Sequence, residues 1–359
     1  MSGRAPNDWP AIPEIAWRRG IGVPPDHVGH PRVTVPMIDD GPWAGVPIGG
    51  IGAGSIGRTY RGDFRRWHLT IGEHRVESVP IDGFAIRVAG GGQQTTRVLS
   101  AAAEPGGPGW GPGIPAGAGS YHALFPRAWF SYDLDGLPVR ITEEQMSPVI
   151  PGDYDSSALP LGLFTWSLEN RSSGDQSVAL LFTWLDQLDC ERGIGRPTHA
   201  ESCAADGAAG VRLMAPAGPD GMPASLAIAA AADDGVTTSV RRSFPLAAAG
   251  DVWADFADDG LLSAGLGARG VDPEGARGVA VAARVELAPG ERRTLRFALA
   301  WDLPFGLFGS GRRLARRYTR RFGTDGASAF EIAAEGLRRG DEWRSAIDAW
   351  QAPVLADPE

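Results

Sequence analysis

The sequence predicts a mainly β chain: a large two-sheet antiparallel β-sandwich with a C-terminal amphipathic helix. Three observations predict it. Gly (50) and Pro (29) are abundant among the 359 residues, which favours short strands joined by turns over long helices. Runs of alternating apolar and polar residues recur through the middle of the chain. The period becomes helical only after residue 327. The length admits two domains at roughly 150 residues each, or one large all-β unit.

Residues 1–45 are rich in Pro and Gly and predict an irregular lead-in. The stretch GVPIGGIGAGSIG (45–57) then holds a formal G-x-G-x-x-G at Gly52, Gly54 and Gly57. A dinucleotide site would need a strand before it and a helix after it. Pro42 and Pro47 precede it instead, and Trp67, Leu69 and Ile71 alternate after it as a strand. The glycines therefore predict a tight backbone crossing where side chains do not fit.

Phe84, Ile86 and Val88 alternate before a Gly-Gly-Gly turn. Phe130, Tyr132 and Leu134 alternate up to Asp135-Gly136, a hairpin signal leading into Val139 and Ile141. Residues 161–169 alternate around Phe164, Trp166 and Leu168, and the turn NRSSGDQ leads to a run from Val178 to Leu185. A third pair joins Val279–Val285 to Leu295–Trp301 through Ala288-Pro289-Gly290-Glu291, with Arg284, Glu286 and Arg296 on the opposite face. Residues 100–120, 190–222 and 257–276 predict loops.

GRRLARRYTRRF (311–322) spaces Leu314, Tyr318 and Phe322 four apart and predicts an Arg-flanked amphipathic helix, its arginines paired with a neighbouring surface. In 327–350, Phe330, Ala333, Ala334, Leu337, Ile347 and Trp350 recur at helical spacing until Pro353 breaks the pattern. Such a helix must bury its stripe. If it docks on a separate domain, this chain should expose an apolar patch. The domain reading is 1–45 lead-in, 46–310 sandwich, and 311–359 helical segment and linker toward a domain boundary.

The net charge of −9 argues against a binder that works by neutralising nucleic-acid phosphates. No apolar run is long enough for a transmembrane helix, and the first twenty residues lack the apolar core of a secretory signal. Cys190 and Cys203 do not make a disulfide framework, so a reducing, cytoplasmic setting is expected. His27 and His30 are flanked by Gly29 and Pro31, and His68 and His74 lack a Cys or carboxylate at ligand spacing. No metal and no cofactor are assigned.

Twelve Trp and 43 acidic residues are the palette of a sugar site, although Trp serves more often as a core anchor. Retaining glycoside hydrolysis needs two carboxyls about 5–5.5 Å apart. Asp153 and Asp155 in GDYDSS are one candidate pair; Glu143-Glu144 and Asp258-Asp259 read as exposed pairs.

Six blocks carry a family resemblance: VPIGGIGAGSI followed by RTYRGDFRRWHL (46–69), YHALFPRAWFSY (121–132), SPVIPGDYDSSALPLGLFTWSLEN (147–170), LAWDLPFGLFG (299–309), RRYTRRFGTDG (316–326) and AWQAPVLAD (349–357). In this order they resemble the N-terminal part of the non-lysosomal glucosylceramidase, or bile-acid β-glucosidase, family (glycoside hydrolase family 116). Similarity fades over roughly 190–275, and the residues after Trp67 depart from the family pattern.

The resemblance implies a retaining β-glucosidase in two parts. The sandwich comes first, and an (α/α)6 barrel then carries a Glu nucleophile and an Asp acid/base. By that resemblance the barrel and both catalytic carboxylates lie outside these residues, and no catalytic residue transfers. The implied partner is a catalytic domain or chain, through which the sandwich would meet β-glucosides or glucosylceramide-like substrates. Candidates for the substrate rim or the domain interface are Arg61, Asp63, Arg65, Trp67, Arg127, Asp153, Tyr154 and Asp155. The alternative job for each is to pin the sandwich's own loops. The alternative for the whole chain is a free-standing carbohydrate-binding or assembly module without catalysis.

Overall fold

The computed structural model describes residues 9–24, 45–107, 109–186, 199–205, 207–215, 222–263, 276–309 and 311–356. Two antiparallel sheets dominate. The larger has nine strands in the order β1 (Trp17–Gly20), β8 (Gly119–Leu124), β9 (Arg127–Tyr132), β10 (Val139–Met146), β11 (Leu161–Asn170), β18 (Arg292–Asp302), β15 (Ala224–Ala231), β14 (Ala208–Ala215) and β13 (His199–Ala205). The smaller has five: β16 (Thr237–Pro245), β17 (Arg277–Leu287), β12 (Gln176–Leu185), β6 (Gly83–Gly90) and β7 (Gln93–Val98). A four-stranded sheet runs β2 (Pro47–Ile48), β3 (Ser55–Arg58), β4 (Phe64–His68), β5 (Arg75–Val76), and β19 (Phe305–Phe308) pairs with β20 (Arg312–Ala315). Helices are α1 (Ala249–Asp259), the single turn α2 (Thr319–Phe322) and α3 (Ala329–Leu355). The predicted mainly β sandwich with its C-terminal helix is the fold observed.

An aromatic cluster fills the space between the sheets. Phe84 stacks on Phe182 at 4.2 Å between ring centroids, and Phe164, Trp166, Phe297, Phe64 and Trp184 close around them. The larger sheet is buried on its other face too. On β11, Phe164, Trp166 and Leu168 face the sandwich core while Leu161 and Leu163 lie under α3. On β15 and β18, Ala227, Ala229, Ala298 and Ala300 pack toward α3. These small side chains let the helix approach closely. Gly336 sits so near Leu161 that a Cβ there would come within 2.7 Å of its side chain.

Several expectations need correction. The runs around NRSSGDQ and around Ala288–Glu291 do not form hairpins, because each connection carries the chain from one sheet to the other. The two arches lie side by side: Asn170 N–H donates to Glu291 O, Gly290 N–H donates to Asn170 O, and Asn170 Nδ2 donates to Leu287 O. His199–Ala205 and Ala208–Ala215 form strands β13 and β14 within the predicted 190–222 loop, and Trp17–Gly20 adds a strand to the predicted lead-in. Residues 311–322 are not one helix. Glycines at φ 45° (Gly309) and 84° (Gly311) turn the chain back, so 312–315 pair as β20 and leave Leu314 exposed. Within 257–276, α1 reaches Asp259, while 264–275 lie outside the described residues. So do His27, His30 and Cys190.

The C-terminal helix also differs. Pro353 falls in the last turn, where the helix is ending anyway, so α3 runs on to Leu355. Trp350 is half-exposed, and Trp343 takes the buried place in the stripe. The stripe docks on the chain's own larger sheet, so the apolar face expected to be left open is covered. What stays exposed is the far end, with Trp350, Val354 and Leu355.

Candidate functional site

The structure separates the eight candidate residues into three places. The first is the β3–β4 hairpin. Gly49, at φ 111° before the turn, lies so close to Trp301 and to Gly54 O that no Cβ fits, as the glycine-rich stretch predicts. No helix follows Gly57, so the dinucleotide geometry is absent there. At the β3–β4 turn, Asp63 accepts from the Thr59 and Ser78 hydroxyls. Trp67 is buried, donates from Nε1 to Glu77 O at 3.0 Å and packs edge-on to Trp184 at 5.6 Å. The Arg65 carbonyl accepts from Glu77 N–H. The Arg61 side chain makes no hydrogen bond or ion pair among the described residues; its guanidinium lies 5.3 Å from the Tyr60 ring.

Arg127 is the second place. On β9, it reaches the last turns of α3, donating to Asp348 Oδ1 and Gln351 Oε1 at 2.6 Å each. Gln351 Nε2 in turn donates to Phe125 O. Glu144 on β10 lies between the buried Arg127 (3.4 Å) and the partly buried Arg344 (2.8 Å). Burial alone would lower the Arg344 guanidinium, but Glu144 and Asp341 hold it above its ordinary value. These charges tie the C-terminal half of α3 to the sheet.

The third place is the 150–157 loop. Asp153 Oδ1 accepts from Ser156 N–H at 2.9 Å. Partial burial pushes its carboxyl up, and hydrogen bonds from Ser156 and Asp155 more than reverse that. Tyr154 is 66% exposed, with the Arg317 guanidinium 5.5 Å from its ring centre, and Arg317 also pairs with Asp155 at 2.8 Å. The ion pairing predicted for the 311–322 arginines is present here and at Arg321–Glu335.

The carboxylate candidates fare differently. Glu143 and Glu144 are buried, not exposed, because both faces of the larger sheet are covered. As neighbours on a strand they point to opposite faces. Glu143 enters the sandwich core to meet Arg58, and Glu144 lies under α3. Asp258 and Asp259 are exposed at the end of α1. Five carboxylates are buried among the described residues: Asp63, Asp82, Glu143, Glu144 and Asp302. Asp302 accepts from the Tyr318 hydroxyl and from Ser328 N–H, which seats the start of α3. Each of the five holds a structural partner, and only Asp82 keeps an oxygen without one among the described residues.

His68 and His74 come within 2.9 Å of each other, a contact that sequence spacing did not reveal. Among the described residues no group of three or more His, Cys, Asp or Glu could hold a metal ion. No helix among them is long and apolar enough to cross a membrane.

The sequence matches, over residues 45–343, the family described as beta-glucosidase 2, glycosyl-hydrolase family 116 N-term. The chain belongs to this family. A family 116 N-terminal domain implies a companion catalytic domain, and the barrel is not among these strands and helices. Among solved structures, the chain is similar to one described as "Putative kojibiose phosphorylase from human microbiome", at 7% identity and a TM-score of 0.35, covering 83% of this chain and 33% of that one. It is also similar to a polysaccharide lyase, at 11% identity and a TM-score of 0.31, covering 64% of this chain and 26% of that one. The chain thus spans about a third of the first and a quarter of the second.

The residues that sequence reasoning missed are Asp82, Arg344 and Asp302, while Glu144 was read as exposed. Ile81-Asp82-Gly83 carries only a turn signal, and a glutamate inside an alternating strand looks solvent-facing unless a helix is known to cover it.

Proposed function

We propose that this chain is the N-terminal sandwich of a retaining β-glucosidase or glucosylceramidase. It would support an (α/α)6 catalytic domain and help form the rim of its cleft. The family match over 45–343 carries the reading. Two features agree with it. The buried carboxylates among the described residues face Arg, hydroxyl or backbone partners instead of each other across an open cleft, which agrees with catalytic carboxylates supplied by a partner domain. The exposed end of α3 at Trp350, Val354 and Leu355 continues the surface that Arg127 braces, which suits a rigid mount for a following domain. On this reading 46–310 is the sandwich and 311–359 leads to the partner. Arg127, Asp153, Tyr154 and Asp155 lie toward the interface or rim, and the setting is cytoplasmic.

The test is hydrolysis of a fluorogenic β-glucoside by the purified chain, beside a mock purification, with and without a family 116 catalytic barrel. The expected result is no turnover above the mock for the chain alone, and turnover that depends on the sandwich once the barrel is added. Turnover by the chain alone would overturn the reading and send mutagenesis to Asp153 and Asp155.

A further inference from the structure

A cleft of about 270 Å³ lies on the five-stranded-sheet side of the sandwich. It is formed by the turn 78–83, the start of β6, residues 100–106 with Trp110, and the β3–β4 turn. None of its lining residues belongs to α3 or to the strands that α3 covers. Most of its wall is apolar, from Val79, Pro80, Ile81, Phe84 and Trp110. Its size, just below the usual range of about 300–1,000 Å³ for small-molecule sites, suits a single ring.

Among the described residues, three polar groups on this wall lack protein partners, one of them the buried Trp110 Nε1. Asp82, only 4% exposed, accepts from Leu185 N–H through Oδ1 at 2.6 Å, while Oδ2 has no partner among the described residues. Arg61 lines the same cleft with its guanidinium donors unpaired among the described residues, and the two side chains do not pair with each other. Asp63 also lines it, but both its oxygens already accept hydroxyls. Asp82 Oδ2 opens to the cleft, and the buried Trp110 Nε1 left without an acceptor costs free energy unless a ligand supplies one.

The chemistry narrows the occupant. A phosphate or carboxylate would face Asp82, Asp63 and Glu104 with only Arg61 in its favour. A bare cation would face Arg61 and find no cluster of metal-ligating groups. A ring carrying hydroxyls fits both needs, because each hydroxyl donates and accepts and the C–H faces suit the apolar wall. We infer that this cleft is a non-catalytic binding site for one neutral pyranose ring, held by Arg61 and Asp82 against the Phe84–Trp110 wall. It does not depend on the catalytic partner, since the sandwich alone supplies every residue.

The test titrates the whole chain with D-glucose, D-mannose, methyl glycopyranosides and acyclic sorbitol, followed by ligand-observed NMR and calorimetry. Saturable binding of a pyranose is expected, with sorbitol failing to compete. Binding of the methyl glycosides would mark a chain-end sugar as the occupant, and binding of reducing sugars alone a free monosaccharide. Arg61→Ala and Asp82→Asn should each weaken binding by about tenfold or more, the loss of one polar contact of about 1.4 kcal/mol. The Asn variant keeps an acceptor for Leu185 N–H, so its fold serves as the control. No saturable binding, binding untouched by both variants, or sorbitol binding as well as the rings would overturn the inference. β-Glucosidase activity, or its absence, does not enter this readout.

Discussion

The ion pair of Arg58 and Glu143 makes the sharpest prediction about what holds the sandwich together. Both side chains are fully excluded from solvent. Arg58 Nη1 donates to the two Glu143 oxygens at 2.5 and 2.6 Å, and Nε donates to Gly62 O at 3.1 Å. The guanidinium is ringed by aromatics, with Phe130 at 4.3 Å and Phe84 at 5.2 Å from its centre. Burial alone would lower its pKa, but Glu143 and Tyr132 hold it above the ordinary value. Arg58→Met leaves a carboxylate facing aromatic rings and should cost about 3–5 kcal/mol, because the remaining charge is buried without a partner. That is a large share of a typical total of about 5–15 kcal/mol. Glu143→Leu should cost a similar amount by stranding the guanidinium. Arg58→Met with Glu143→Leu should recover most of the loss, since an apolar replacement of a buried pair is often neutral or better. Chemical unfolding, followed by tryptophan fluorescence and circular dichroism, gives the four stabilities of the cycle. A coupling below about 0.5 kcal/mol, with the double variant no better than Arg58→Met, would refute the reasoning.

Two further perturbations test other parts of the fold. Burial holds the Asp82 carboxyl well above its usual range, against the Leu185 N–H bond and Arg75. The folded chain therefore binds that proton more tightly than the unfolded chain, and the stability contributed by Asp82 falls as pH rises above about 4 toward the folded value. Asp82→Asn should raise the calorimetric Tm at about pH 8 and show little gain at about pH 3; an equal gain at both would count against the burial argument. Trp343 is buried where α3 meets the larger sheet, so Trp343→Ala should cost about 3–5 kcal/mol in denaturant unfolding, and a loss below about 1 kcal/mol would mean that the helix is not anchored there.

Legibility in the sequence followed side-chain polarity. Strands that alternate apolar with polar side chains, such as β6 with Arg87 and β10 with Arg140, Thr142 and Glu144, announce themselves even where both faces are covered. The strand ASLAIAAA does not, because its Leu226 and Ile228 face the sandwich while Ala227 and Ala229 lie under α3. A strand apolar on both faces loses the period that would reveal it. The two arches misled for a different reason. Their turns are as short as hairpin turns, and only the mutual hydrogen bonds of Asn170, Gly290 and Glu291 show that each chain changes sheet. Tyr318 and Leu314 share a helical spacing, yet Tyr318 is fixed by Asp302 and Leu314 sits in the exposed β20.

The site residues divide along the same line. Asp63, Trp67 and Asp153 are occupied in holding loops, the alternative that sequence reasoning kept beside each of them. Arg61 is the exception, and its position acquires meaning only next to Asp82, a residue that no spacing in the sequence connects to it. An asparagine at 82 would meet Leu185 N–H equally well and avoid the desolvation cost of a carboxylate. A charge-bearing acid at such a position is thermodynamically unfavourable for the fold alone, and a ligand hydroxyl at Oδ2 gives it a physical reason. The stability gain and the binding loss predicted for Asp82→Asn are then two readings of one side chain. If the variant gained stability and bound the sugar unchanged, the acid would be a cost without a purpose in this cleft.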